Sequence, residues 1–160
     1  MAVDMFLKLD GIKGEAKDNK HKDEIDIYSW SWGMAQTGIG GYGGGSGAGK
    51  VNVHDISITK KLDMASNPLF LHCANGKHIK NGILTVRKAG ENPLEYLVVK
   101  FEEIIVSSVQ HSGTGGGDEV MESLSLNFAK VKSTYKEQKA DGTAGAPVDF
   151  GWDIKSNKNY

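Results

Sequence analysis

Along most of this chain, apolar and polar residues alternate at every second position. That is the period of a half-buried β-strand, whose successive side chains point to opposite faces. Val3, Met5, Leu7 and Leu9 fall on one side, with Asp4, Lys8 and Asp10 on the other. Residues 25–32 alternate again: Asp26, Tyr28, Trp30 and Trp32 share one face, and Ile25, Ile27, Ser29 and Ser31 share the other. Two tryptophans two positions apart predict a strand that buries a heavy aromatic face. The pattern resumes over 51–61, and 78–88 with 94–111 reads as a hairpin turned at residues 89–93. Leu124, Leu126 and Phe128 alternate with Ser123, Ser125 and Asn127, and Val148, Phe150, Trp152 and Ile154 share one face of a last strand. Only 62–75 has helical spacing, with Ser66 as the expected N-cap, Pro68 in the first turn and Gly76 as C-cap. Leu69, Phe70 and Cys73 form its expected buried stripe. The expectation is a mainly β chain of seven or eight strands with one short helix, folded as a barrel or a sandwich of two packed sheets.

At 160 residues the chain is one domain, long enough to bury a core without disulfides. Its 21 glycines are about 13% of the residues, against a usual ~7%, while prolines number only 3. Nine of those glycines lie in the seventeen positions 33–49, which predicts a long loop. Residues 113–117 and 141–145 are shorter glycine-bearing connections.

Several chemistries fall away at this level. Net charge is −1, from 19 basic and 20 acidic groups, and Arg87 is the lone arginine, so a nucleic-acid partner is not expected. A single cysteine, Cys73, excludes an internal disulfide and a multi-cysteine zinc site. The run Gly44-Gly45-Ser46-Gly47-Ala48-Gly49-Lys50 nearly fits a phosphate-binding loop. Val51 stands where the magnesium-holding hydroxyl is needed, however, and a strand pattern comes next where a helix is required. His72 and Cys73 are adjacent and point apart on a helix, and the five histidines show no paired ligand spacing. Asp23, Glu24, Asp26, Glu102 and Glu103 read as solvated or ion-paired carboxylates rather than acid–base catalysts. Of Glu102 and Glu103, one faces inward unless a bulge turns both out. No catalytic residue, cofactor or metal is expected, and the chain does not read as an enzyme.

The residues also carry a resemblance. Met1-Ala2-Val3-Asp4-Met5-Phe6, Lys13-Gly14-Glu15, Trp30-Ser31-Trp32-Gly33, Gly47-Ala48-Gly49-Lys50-Val51-Asn52-Val53, Thr85-Val86-Arg87-Lys88-Ala89-Gly90 and Glu95-Tyr96-Leu97 occur in that order. Val106-Ser107-Ser108-Val109, Leu126-Asn127-Phe128-Ala129, Gln138-Lys139-Ala140-Asp141-Gly142 and Gly151-Trp152-Asp153-Ile154 come after them. Together they resemble, nearly end to end, the haemolysin-coregulated proteins, the tube proteins of bacterial type VI secretion. The resemblance implies a β-barrel flanked by a helix, similar to phage tail tubes. It further implies a hexameric ring that stacks into a hollow tube, a surrounding sheath, a capping spike of the valine-glycine-repeat family, and effectors carried in the lumen. Residues 1–160 are expected to be one tube domain without a C-terminal toxin extension.

Two sets of site residues are expected. Ser29 and Ser31 lie opposite the tryptophans and are expected to face the lumen and cargo. Gly40, Gly41, Gly43, Gly44, Gly45, Gly47 and Gly49 are expected in a loop through which rings meet. Asp4 and Lys8 interrupt any secretory leader, so synthesis in the cytoplasm and export without a signal peptide are expected. The competing reading is a free β-barrel module that binds a ligand or a surface.

Overall fold

The computed structural model describes residues 2–36 and 50–160. In chain order its strands are β1 (Val3–Leu9), β2 (Ile25–Asp26), β3 (Ser29–Ser31), β4 (Met34–Ala35), β5 (Asn52–Val53) and β6 (Ile56–Lys61). After the helix α1 (Ser66–Asn75) come β7 (Ile79–Lys88), β8 (Glu95–Ser112), β9 (Met121–Asn127), β10 (Lys130–Gln138), β11 (Ala144–Asp153) and β12 (Lys158–Asn159). The first layer runs β12-β11-β10-β8-β7-β1-β2, all antiparallel, and the second runs β3-β6-β9-β8.

Strand β8 belongs to both layers. Its first part pairs with β7 and β10, whereas residues 105–112 pair with β9. Eighteen extended residues would span about 60 Å, far beyond one layer of a domain this size. The strand therefore bends, and Glu103, at the junction of its two parts, has the left-handed φ of 52°. Glu103 is exposed and Glu102 half-buried, so the adjacent pair is turned outward rather than split by the sheet.

The fold is mainly β with one short helix, as expected, but the two layers do not close into a barrel. The described strands number twelve rather than seven or eight, because several predicted strands are broken. Residues 25–32 show why. Ile25 and Ile27 are buried, yet from Ser29 onward the small residues are exposed and Trp30 packs against the core. The apolar phase reverses where the chain leaves the first layer at β2 and joins the second at β3, so one alternating run becomes two short strands in different sheets.

The core lies between the layers. Leu7, Leu84, Val99 and Phe101 from the first meet Ile56, Ile58, Leu124 and Leu126 from the second, and Leu69 of α1 closes one end. Within the expected span 62–75 the helix starts at Ser66, one residue ahead of the expected cap, and Ala65 occupies its N-cap with no side-chain bond. Ser66 is instead its first residue, because its hydroxyl is drawn into a buried polar cluster. Gly76 is the C-cap as expected, in the left-handed conformation, with its amide bonded to the His72 carbonyl. Of the expected stripe, Leu69 is buried and Cys73 packs on the core, but Phe70 is exposed, its ring meeting that of His111 edge-on.

The loop over 10–24 is clasped to the outer face of the first layer. Arg87 binds Asp18 and Asp4 and lies over the Phe6 ring, on which His21 stacks. The Arg87 guanidinium holds the Asp18 carboxyl down to about 2. His21 contacts Glu24 at 2.9 Å and Glu95 at 2.7 Å. Gly14 is required here: a Cβ would sit 2.4 Å from the Glu24 carbonyl oxygen.

Candidate functional site

The second layer has one face in the core and one face in solvent, and the solvent face is covered by small neutral side chains. Registry aligns them in two rows across four strands. Ser31, Ser57, Ser125 and Ser108 form one, and Ser29, Thr59, Ser123 and Gln110 form the other. Their neighbours along each strand, Trp30, Ile58, Leu124 and Val109, point inward and supply the burial that holds the sheet in place. Ile58 and Leu124, both fully buried, contribute about 1.5–3 kcal/mol each, and the partly buried Trp30 and Val109 add to this. The hydroxyls themselves are free to meet whatever lies opposite.

The face is partly cross-bonded. Ser108 and Ser125 hydroxyls are 2.5 Å apart, and Ser107 contacts Ser125 at 2.7 Å. Ser107 donates to Asp55 at 2.6 Å, and the Asn127 amide donates to the other Asp55 oxygen at 2.9 Å. Asp55 and Lys61 are the charges at the two ends of β6; between them both rows are uncharged. Hydroxyls donate and accept, so such a surface offers adaptable hydrogen bonds without selecting a sign of charge. No imidazole joins these contacts, so the pairing that activates a serine nucleophile is absent among the described residues.

Both sequence-predicted serines lie on this face, exposed, and the structure joins to them six partners from β6, β8 and β9. Those partners were visible as Ser123 and Ser125 in one alternating run, but their alignment with Ser29 and Ser31 depends on strand order. The seven predicted loop glycines, Gly40 to Gly49, lie outside the described residues. The next element in the chain is the strand β5, where a phosphate-binding loop would need a helix. Among the described residues no three metal-ligating side chains gather. The carboxylates Asp23 and Glu24 are paired with Lys13 and His21.

Sequence reasoning missed a second cluster, inside the fold. Lys60 and Glu122 are cross-strand neighbours, both 0% exposed, with Nζ and Oε2 2.5 Å apart. Lys60 also reaches Asp63 at 2.7 Å and Ser66 at 3.1 Å, and Ser66 donates to Glu122 at 2.6 Å. The signal was present: Lys60 is in phase with Ile56 and Ile58, and Glu122 with Leu124 and Leu126, so a charge stands in each apolar phase.

Known proteins share this layout. Residues 6–135 match the family model described as type VI secretion system effector, Hcp. The chain belongs to the Hcp family. It is 55% identical over 159 residues to protein hcp1 of Pseudomonas aeruginosa strain PAO1, covering 98% of each chain. The crystal structure of Hcp1 from Salmonella typhimurium superposes with a TM-score of 0.81 at 40% identity, over 100% of both chains. A further solved structure, of a type six secretion system protein, gives 0.93 at 30% identity, over 99% of this chain and 100% of that one. The Hcp fold thus spans the whole chain, including both hydroxyl rows. Among the described residues no helix is long and apolar enough to cross a membrane.

Proposed function

We propose that this chain is the repeating subunit of a type VI secretion tube, a structural protein rather than an enzyme. Six copies close into a ring, rings stack into a hollow tube, and the lumen carries effectors. The number six comes from the family resemblance. One observation carries the ring: the sheet bearing the hydroxyl face is open at both edges. Among the described strands β3 pairs only with β6, and residues 105–112 of β8 pair only with β9. Unpaired edges are templates for another chain. An edge at each end of one sheet suits a head-to-tail contact, which repeats until the rotation closes. Joined that way, the hydroxyl rows of successive copies form one continuous inner wall.

Light scattering of the purified chain is expected to give about six times the 17.3 kDa subunit mass. A stable monomer at micromolar concentration sinks the reading. Ser29 and Ser31 then face the lumen, where cargo of varied charge meets neutral hydroxyls. Ser31→Gln adds bulk without charge and is expected to leave ring mass unchanged while lowering co-purified effector at least fivefold. Unchanged effector binding in intact rings removes the serines from the cargo surface.

In the same reading, the loop bearing Gly40, Gly41, Gly43, Gly44, Gly45, Gly47 and Gly49 lies on a ring face and helps rings meet. Shortening it is expected to leave rings intact and to impair tube-dependent secretion. Loss of rings by a folded subunit would assign the loop to the subunit interface instead. A surrounding sheath, a spike of the valine-glycine-repeat family and effectors are the partners of this assembly.

A further inference from the structure

The first layer is wider than the second. Its inner, core-facing side can be followed along rows of paired residues from β1 to β11. In one row Leu7, Leu84 and Val99 are buried, but Phe150, at the β11 end, is 39% exposed. In the next row Val86 is buried, whereas Tyr135 on β10 is 49% exposed and Val148, its partner on β11, is 68% exposed. Alternation places Val131, Ser133 and Trp152 on the same face, so no charge interrupts it. The second layer therefore covers the columns of β1, β7 and β8. It leaves the apolar inner face of the β10–β11 hairpin bare among the described residues. Topology fixes where this strip lies. β2 ends the first layer, and β3 begins the second after only residues 27 and 28, so β3 sits on the β2 side. The open edge of β8, at the other end of the second layer, sits on the β11 side, and the bare strip lies beyond it.

We propose that the inner face of the β10–β11 hairpin packs on a second copy of this chain, overlapping the second layer of the next subunit. The inference rests on the head-to-tail ring proposed above and adds an apolar seat to its edge contact. A copy that continues the second layer beyond residues 105–112 enters with its β3, and so passes beneath the hairpin. That side of the chain is incomplete in the matching way. Tyr28 extends β3, its amide donating to the Thr59 carbonyl at 2.8 Å. It is in phase with Trp30, which packs on the core, yet Tyr28 is exposed. One side of the subunit thus carries an uncovered apolar shelf, and the other an uncovered aromatic on the edge that enters it. Other occupants fit less well. A partner on the rim meets the outer face of the first layer, and cargo meets the hydroxyl face of the second; the strip belongs to neither. An extended peptide added to the open edge of β11 meets Pro147, which cannot donate to a ladder. A neutral surface bearing aromatic side chains has the composition of an interface core.

Light scattering of the full chain over a dilution series tests it. Val148→Glu places a charge on the shelf at an exposed position and is expected to keep the wild-type circular dichroism. It is expected to raise the concentration at which half the subunits are in rings at least tenfold. Tyr28→Ser, on the opposite side of the subunit, is expected to raise it at least fivefold. Asp149→Ala changes the other face of the same strand and is expected to leave assembly unchanged. Wild-type rings that dissociate at the same dilution as those of Val148→Glu overturn the proposal and leave the ring reading standing. A wild-type chain that is monomeric throughout fails the ring reading itself, and this contact with it. Two further results overturn the proposal by giving the shelf another occupant. Val148→Glu rings that form normally but no longer stack would assign it to the contact between rings. A lower urea midpoint of the dilute Val148→Glu monomer, with unchanged assembly, would assign it to a segment of the same chain.

Discussion

Glu122→Ala is expected to destabilise the folded chain by roughly 3–5 kcal/mol, a large share of a typical domain's stability. The reason is desolvation. Lys60 is fully buried, and its ammonium is balanced by Glu122 at 2.5 Å and Asp63 at 2.7 Å. Removing Glu122 leaves the ammonium with one carboxylate and leaves the Ser66 hydroxyl only its long contact to Asp63, at 3.4 Å, as an acceptor. Lys60 cannot swing out, because the two strands that carry the pair are interior to their sheet, with β3 and β8 outside them. Lys60→Met with Glu122→Leu removes both charges at similar volume and is expected to recover at least ~1 kcal/mol of the loss. Recovery is incomplete because Asp63, 5% exposed, keeps a carboxylate that has lost its partner. Urea unfolding at fixed subunit concentration measures both variants, since ring assembly would shift the midpoint with concentration. A Glu122→Ala loss below about 1 kcal/mol would mean that water reaches the cluster. A double variant worse than the single one would mean that the ion pair stabilises the fold beyond offsetting its own burial.

Much of the fold was legible because strands carry their burial in their period. β9 follows the alternation residue by residue, and Gly76 ends the helix because only a left-handed residue suits that position. β1 and β7 depart from it where Phe6 and Arg87 are buried on the outer face, and in β11 Trp152 packs on the core while Val148 and Phe150, expected on the same buried face, are exposed. The failures have one physical origin: period reports which side chains share a face, not which sheet that face belongs to. Residues 25–32 alternate without a break, but the chain changes layers within them, so the tryptophan face and the isoleucine face are both inward in turn. β8 reads as one long strand and is one, yet its bend at Glu103 gives it two sets of partners. Openness of the sheets likewise depends on which edges meet, and no local pattern encodes that. The candidate site divides in the same way. Ser29 and Ser31 stood out as small residues opposite tryptophans, and their exposure follows from that. Their union with Ser57, Thr59, Ser108, Gln110, Ser123 and Ser125 is a consequence of strand order. Ser66 failed as a cap because a buried lysine and glutamate, distant in sequence, compete for its hydroxyl.

Proline at the open edge of β8 is expected to abolish rings while leaving a folded subunit. Residues 105–112 pair with β9 on one side only, so their backbone groups alternate between that ladder and the open edge. Val109 and Gln110 are consecutive and send their amides to opposite sides. One of Val109→Pro and Gln110→Pro thus removes a ladder bond to β9, and the other removes an amide from the open edge. The first is expected to cost about 1–3 kcal/mol in unfolding experiments, since it leaves a ladder carbonyl of β9 unpaired, and to reduce soluble yield. The second is expected to retain the wild-type circular dichroism and melting behaviour of the subunit but to run as a 17.3 kDa monomer. This split separates assembly from folding, since a variant that merely weakened the core would lose both. The effect on assembly is large because a ring repeats its contact at every subunit, and one blocked edge per copy blocks all of them. If both variants remain ring-sized, this edge is not where copies meet, and the inner wall must be closed through other strands.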